Sequence, residues 1–160
     1  MSMYGIGHDI VDVVAFAEQL AEPGTRMREL FSMREIRQAN ACAQQKNDGE
    51  AVHLAAKWAG KEAFLKAWCE ALGERPYPFT LDNFPWHEIE ILDDSHGVPH
   101  VMLSGRAKRA FRDSLGSGDS SAENIGSSVV QSDYAGSILV IHISLSHDGP
   151  IASAVVMLSD

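Results

Sequence analysis

The sequence predicts an α+β domain: an antiparallel sheet packed against one long helix and several short ones. Three patterns predict it. Between residues 50 and 72, Val52, Ala55, Ala56, Ala59, Ala63, Phe64 and Ala67 return at three- and four-residue intervals, the period of a helix with an apolar stripe. Leu139, Ile141, Ile143 and Leu145 alternate with Val140, His142, Ser144 and Ser146, the period of a strand with one apolar face. Ile89 and Ile91 alternate with Glu88 and Glu90 ahead of an Asp93-Asp94-Ser95-His96-Gly97 turn, which reads as the first arm of a hairpin.

The elements follow in order. Tyr4, Ile6, Ile10 and Val11 around two glycines give a short opening strand, and Val13, Val14, Phe16, Ala17 and Leu20 a helix from about 12 to 20. Glu22-Pro23-Gly24-Thr25 ends that helix, as proline and glycine beyond a periodic segment do. A second helix starts after Phe31, with Ser32 as N-cap and Glu35 three residues on, the spacing of a capping box. The long helix of about 50–72 stops before Gly73 and Pro76. The hairpin returns through Val98–Leu103, a short basic helix occupies about 105–112, and His147-Asp148-Gly149-Pro150 turns the strand of 139–146 into a return strand over 151–158. Residues 113–137 hold eight serines and four glycines among 25 residues, with no Lys or Arg, and read as a flexible insertion in an otherwise single domain, 1–160.

Composition bounds the function. Thirteen Lys and Arg face 22 Asp and Glu, a net charge of -9 in 160 residues. That argues against a nucleic-acid partner, which needs a basic face, and leaves an acidic protein partner open if bases cluster locally. Apolar runs are too short to span a membrane, and no secretory leader is visible at the amino terminus. Cys42 and Cys69 stand in no metal-ligand spacing, as expected of reduced thiols in the cytoplasm.

Three stretches carry chemistry. In Gly5-Ile6-Gly7-His8-Asp9, an acid in an apolar strand must be solvated, paired or bound to a cation. In Lys57-Trp58-Ala59-Gly60-Lys61-Glu62-Ala63-Phe64-Leu65-Lys66, Glu62 and Lys66 are four apart. They form either an ordinary surface ion pair or a carboxylate for a hard cation among lysines for phosphate. In Ser144-Leu145-Ser146-His147-Asp148, neighbours on a strand point to opposite faces, so this is no hydrolase triad; His147 is either a phosphate contact or a structural histidine. His142 reads as structural. No P-loop, dinucleotide fingerprint or His-Glu-x-x-His pair is present, and the seven histidines lack zinc spacing.

Together these stretches resemble the holo-acyl-carrier-protein synthase family of 4′-phosphopantetheinyl transferases. GIGHDIVDV is similar to its opening signature, Phe31-Ser32-Met33-Arg34-Glu35 to its Phe-Thr-x-x-Glu element, and LAAKWAGKEAFLKAW (54–68) to its central helix. HGVPHVMLSG resembles its Gly-x-Pro hairpin and HISLSHDGPIASAVVML its closing strand pair. Three departures stand out: Lys57 replaces the usual arginine, a point charge for a planar fork; Gly60 replaces alanine within a helix, at about 1 kcal/mol of propensity; and the serine-rich insertion lengthens the chain beyond the compact members.

The resemblance implies transfer of phosphopantetheine from coenzyme A to a serine of apo acyl carrier protein, in fatty acid biosynthesis. It implies Mg²⁺ on Asp9 and Glu62 and catalysis by Asp9, Glu62 and Lys66. Coenzyme A phosphates would fall to Lys57, Lys61, Lys66 and His147. Residues 24–46 carry five bases against two acids, so the carrier is expected near Arg26 and Arg28, with Arg34 and Arg37 beside them. A chain with one copy of each motif is expected to complete its sites between subunits, as a homotrimer. Two other functions stay open: a catalytically silent carrier-binding module, and a Mg²⁺-dependent hydrolase of the coenzyme A pyrophosphate.

Overall fold

The computed structural model describes residues 2–115, 129–131 and 138–160. Its strands are β1 (Met3–Asp12), β2 (Ile89–Asp93), β3 (Pro99–Leu103), β4 (Val129–Gln131), β5 (Ile138–Asp148) and β6 (Ile151–Ser159). Its α-helices are α1 (Val13–Ala21), α2 (Met33–Lys46), α3 (Glu50–Leu72) and α4 (Gly105–Leu115). One antiparallel sheet has the order β1-β6-β5-β4, and β2 pairs with β3 in a separate hairpin. The α+β architecture expected from the periodicities is present. No helix among the described residues is long and apolar enough to cross a membrane.

Several boundaries differ from the expectation. The opening strand is ten residues long, and Asp12 is the N-cap of α1, accepting from the Ala15 amide. β5 continues through His147 and Asp148, so the turn is confined to Gly149 and Pro150. Residues 113–115, assigned to the insertion, complete α4, where Leu115 packs into the core; residues 129–131 form β4. The rest of that segment lies outside the described residues. Ser32 and Glu35 do form a reciprocal capping box on α2.

α3 is the centre of the domain. Leu54, Ala55, Ala59, Ala63, Phe64 and Ala67 are wholly buried. One side of the helix lies on the inner sheet face, where Leu139, Ile141, Ala152, Ala154, Val156 and Leu158 point inward. The other side meets the β2–β3 hairpin and α4 through Ile89, Ile91, Val101 and Phe111. Gly60 lies where these layers converge: a Cβ there would sit 3.1 Å from both Ile91 and Ile143 side chains. Here the helix gives up propensity for clearance.

Being covered on both sides, α3 is not the amphipathic helix that its period suggested. Two of its lysines, Lys57 and Lys61, are buried and had to find partners inside the protein.

Candidate active site

Asp9 and Glu62 meet because β1 lies against the backbone of α3. A Cβ on Gly5 would fall 2.2 Å from the Ala67 carbonyl oxygen, and one on Gly7 1.9 Å from that of Ala63. Only a residue without a side chain allows that approach. Two strand residues advance about 6.8 Å and four helical residues about 6 Å, so strand and helix stay in step. Asp9, two residues beyond Gly7 on the same strand face, therefore arrives at the level of Glu62.

Lys66, one helical turn from Glu62, closes the group. Its Nζ donates to Asp9 Oδ1 at 2.8 Å and to the His8 carbonyl at 2.9 Å. The ion pair that Lys66 makes is thus with Asp9 on the neighbouring strand. Asp9 Oδ2 is buried and has no hydrogen-bond partner. The half-buried Glu62 carboxyl is pushed up to about 7, first by burial, then by hydrogen bonding to Asp9 and by its charge, against the opposing pull of Lys66. Adjacent carboxylates resist simultaneous ionisation; they hold a proton or a cation between them.

The donor set fits Mg²⁺. A hard cation takes carboxylate oxygens, and Mg²⁺ commonly uses one or two of them while keeping water and substrate phosphate as its other ligands. Asp9 Oδ2 and Glu62 provide such a pair. Among the described residues no group of three or more His, Cys, Asp or Glu could hold a metal ion, so substrate and solvent would supply the remaining ligands.

Two of the lysines expected at phosphate, Lys57 and Lys61, are engaged inside the protein. Lys61 is wholly buried. Its Nζ pairs with Glu35 Oε2 at 2.9 Å and donates to the Trp86 and Ile89 carbonyls at 2.7 and 2.5 Å. Burial pulls its pKa below the usual lysine value, against the attraction of Glu35. Lys57 is also buried; it donates to the Ile91 carbonyl at 2.7 Å and to Gln38 at 3.2 Å, with Asp93 at 3.8 Å. Both tie α3 to α2 and β2, and neither ammonium is presented to a ligand.

His147, by contrast, is exposed at the end of β5. Its ring meets that of His53 edge-to-face, centroids 6.1 Å apart at 84°. His53 is buried, with Nε2 2.7 Å from Asp48 Oδ1. The sequence reading missed His53 and Asp48; the one available signal is the four-residue ladder His53, Lys57, Lys61 on α3. His142 bonds Ser159 at 3.0 Å, the structural role expected of it.

The basic segment is less basic than its count suggests. Arg26 pairs with Glu29 at 2.6 Å, and Arg28 grips Glu50 with both terminal nitrogens, at 2.9 and 2.6 Å. Arg34 pairs with the buried Glu90. Two of these acids, Glu50 and Glu90, lie outside residues 24–46, and counting along the chain could not include them. Arg37 and Lys46 are exposed on α2.

The chain is similar to known proteins over nearly its whole length. The description 4′-phosphopantetheinyl transferase superfamily matches residues 5–132. A holo-[acyl-carrier-protein] synthase of Bifidobacterium adolescentis is 59% identical, covering 98% of this chain and 99% of its own. One from Corynebacterium glutamicum is 34% identical over 98% of each chain. An acyl carrier protein synthase of Chronobacterium ammoniagenes, solved as a complex with coenzyme A, superposes with a TM-score of 0.76 at 31% identity, covering 99% of this chain and 98% of that one. With a superfamily match across most of its length and relatives this similar end to end, the chain belongs to the holo-[acyl-carrier-protein] synthase family of 4′-phosphopantetheinyl transferases.

Proposed function

We propose that this protein transfers the 4′-phosphopantetheine group of coenzyme A to a serine of apo acyl carrier protein, leaving adenosine 3′,5′-bisphosphate. The observation that carries the reading is the Asp9–Glu62–Lys66 group: two neighbouring carboxylates, one with an unpartnered buried oxygen, beside a half-exposed ammonium. The serine oxygen forms a bond to the β-phosphorus while the bond from that phosphorus to the bridging pyrophosphate oxygen breaks. The serine proton passes either to Glu62 in its ionised form, a carboxyl raised to about 7 and so titrating close to working pH, or to a metal-bound water. Lys66 stabilises the departing phosphate. Mg²⁺, held by Asp9 and Glu62, supplies charge neutralisation at the pyrophosphate when bound.

His147 contacts a phosphate of coenzyme A from the end of β5. Arg26 and Arg28 receive the carrier: Arg26 and its partner Glu29 are both exposed, so their solvent-screened pair is weak enough to be exchanged for a carrier acid, and Arg28 is half-exposed beside the less accessible Glu50. Three chains assemble so that each site is completed by a neighbour. In support, the outer sheet face presents Ile6, Ile10, Ile151 and Val155 to solvent. The reaction belongs to the cytoplasm, consistent with free Cys42 and Cys69, and to fatty acid synthesis.

The test is to incubate the protein with coenzyme A, Mg²⁺ and an apo carrier protein and weigh the carrier. A gain of one phosphopantetheine is expected, lost in Glu62→Gln. Bisphosphate released without carrier would make the protein a hydrolase, and neither product would make it a binding module.

A further inference from the structure

Glu70 has no place in the reaction just described, yet its carboxylate takes a backbone group of the strand that delivers Asp9. Glu70 Oε2 accepts from the Ile6 amide at 2.5 Å. Four residues earlier on α3, Lys66 donates to the His8 carbonyl at 2.9 Å. β1 is an edge strand, so α3 satisfies two of its backbone groups with side chains of opposite character, an acceptor for an amide and a donor for a carbonyl. The place matters. Pairing of β1 with β6 is irregular between Met3 and Gly5 and regular from Gly5 through Asp12. Glu70 therefore holds the strand where its regular register begins, three residues before Asp9. A slip of one residue would turn every side chain of the strand to the opposite face and carry Asp9 away from Glu62.

The two contacts are not equivalent in the working enzyme. Lys66 is assigned above to the departing phosphate, so its hold on His8 competes with substrate. Glu70 faces no such competition. We propose that Glu70 is a positioning residue that keeps β1 in register, and Asp9 opposite Glu62, while Lys66 is engaged by the coenzyme A pyrophosphate. The proposal rests on the reading of Asp9 and Lys66 given above.

The test compares Glu70→Ala with Glu70→Gln, whose amide oxygen can still accept from Ile6. Without substrate, Lys66 still ties β1, so E70A keeps a melting temperature close to that of the parent. With substrate, kcat falls about tenfold, less than the roughly hundredfold that a 1 Å misplacement can cost, while KM for coenzyme A changes little. Mn²⁺ binding in the presence of coenzyme A, followed by electron paramagnetic resonance, weakens in parallel. E70Q restores both. By amide exchange, the Ile6 N–H of E70A is released further when coenzyme A is added, and that of the parent is not.

Unchanged kcat and Mn²⁺ affinity in E70A, or an E70Q as impaired as E70A, would overturn the proposal. Asp9→Asn separates its failure from that of the underlying reading. If D9N transfers normally, the assignment of Asp9 falls, and with it the catalytic consequence of Glu70. If D9N is inactive but Ile6 exchange in E70A ignores coenzyme A, only the role of Glu70 falls.

Discussion

Glu62 shows how one residue couples folding to ligand binding. Its carboxyl holds a proton up to about pH 7, against an ordinary value of 4.5. Between those values the folded chain binds that proton and the unfolded chain does not, so folding loses stability as pH rises through the window. The contribution is favourable below pH 4.5 relative to its value above 7. Metal-free protein should therefore show a melting temperature that declines from pH 5 to pH 8 more steeply than Glu62→Gln does, and Mg²⁺ at pH 8 should recover part of the loss in the parent alone. Equal slopes in parent and variant would mean that Asp9 and burial do not hold the proton. Lys61, one residue away, makes the opposite kind of prediction. Its ammonium and the Glu35 carboxylate are both wholly buried, and removing one member of such a pair leaves the other uncompensated. Lys61→Met should cost about 3–5 kcal/mol in urea unfolding, a loss that a phosphate-binding lysine at the surface would not produce.

At the scale of elements, the approach of β1 to α3 is the feature on which the site depends. A methyl group on Gly7 would sit 1.9 Å from the Ala63 carbonyl oxygen, with Ala67 N at 2.6 Å, and both are backbone atoms of a helix packed on two sides. Neither can yield as a side chain would. Gly7→Ala should force strand and helix apart, with a loss above the 1–3 kcal/mol typical of overpacking, together with loss of Mg²⁺-dependent transfer. Normal stability, measured by denaturant unfolding, would show that the strand can shift without consequence. Much of this architecture was legible in the sequence, because hydrophobic period and capping are local signals: the α2 capping box, the span of α3 and the alternation of β5 all stand where the pattern put them. Asp9, Glu62 and Lys66 were legible as a motif. What the chain order concealed was pairing between elements. Lysines four apart on a helix look alike whether they meet phosphate or carbonyls, and the acceptors of Lys57 and Lys61 come from α2, β2 and the turn preceding β2. Glu35 is marked by spacing as the capping acid of α2, and carries no mark that it also neutralises Lys61. Lys66 reads as the partner of Glu62 by spacing, yet it bonds Asp9 across the strand–helix contact.

For the whole molecule the unbalanced feature is the sheet. Its inner face is sealed, with Ala152, Val156 and Leu158 at 0% exposure, while on the outer face Ile10 is 58% and Val155 39% exposed. Ile6 and Ile151 extend the same apolar surface. Two pairs of polar groups among them are already joined within the chain, His8 to Ser153 and His142 to Ser159, each at 3.0 Å, and the small hydroxyls of Ser144 and Ser146 are exposed beside them. Burying this face would therefore remove apolar area from water without stranding those donors and acceptors, the condition a self-association surface has to meet. The proposed homotrimer uses it, and a lysine in its middle should break it. Val155→Lys leaves the inner face and the Asp9–Glu62–Lys66 group untouched, so the chain should fold, sediment as a monomer and lose most transfer activity, because each site lacks its neighbour's contribution. In the parent, activity per chain should fall on dilution in step with dissociation. A V155K protein that remains trimeric would move the interface elsewhere. A monomeric V155K with full activity would show that one chain holds a complete site.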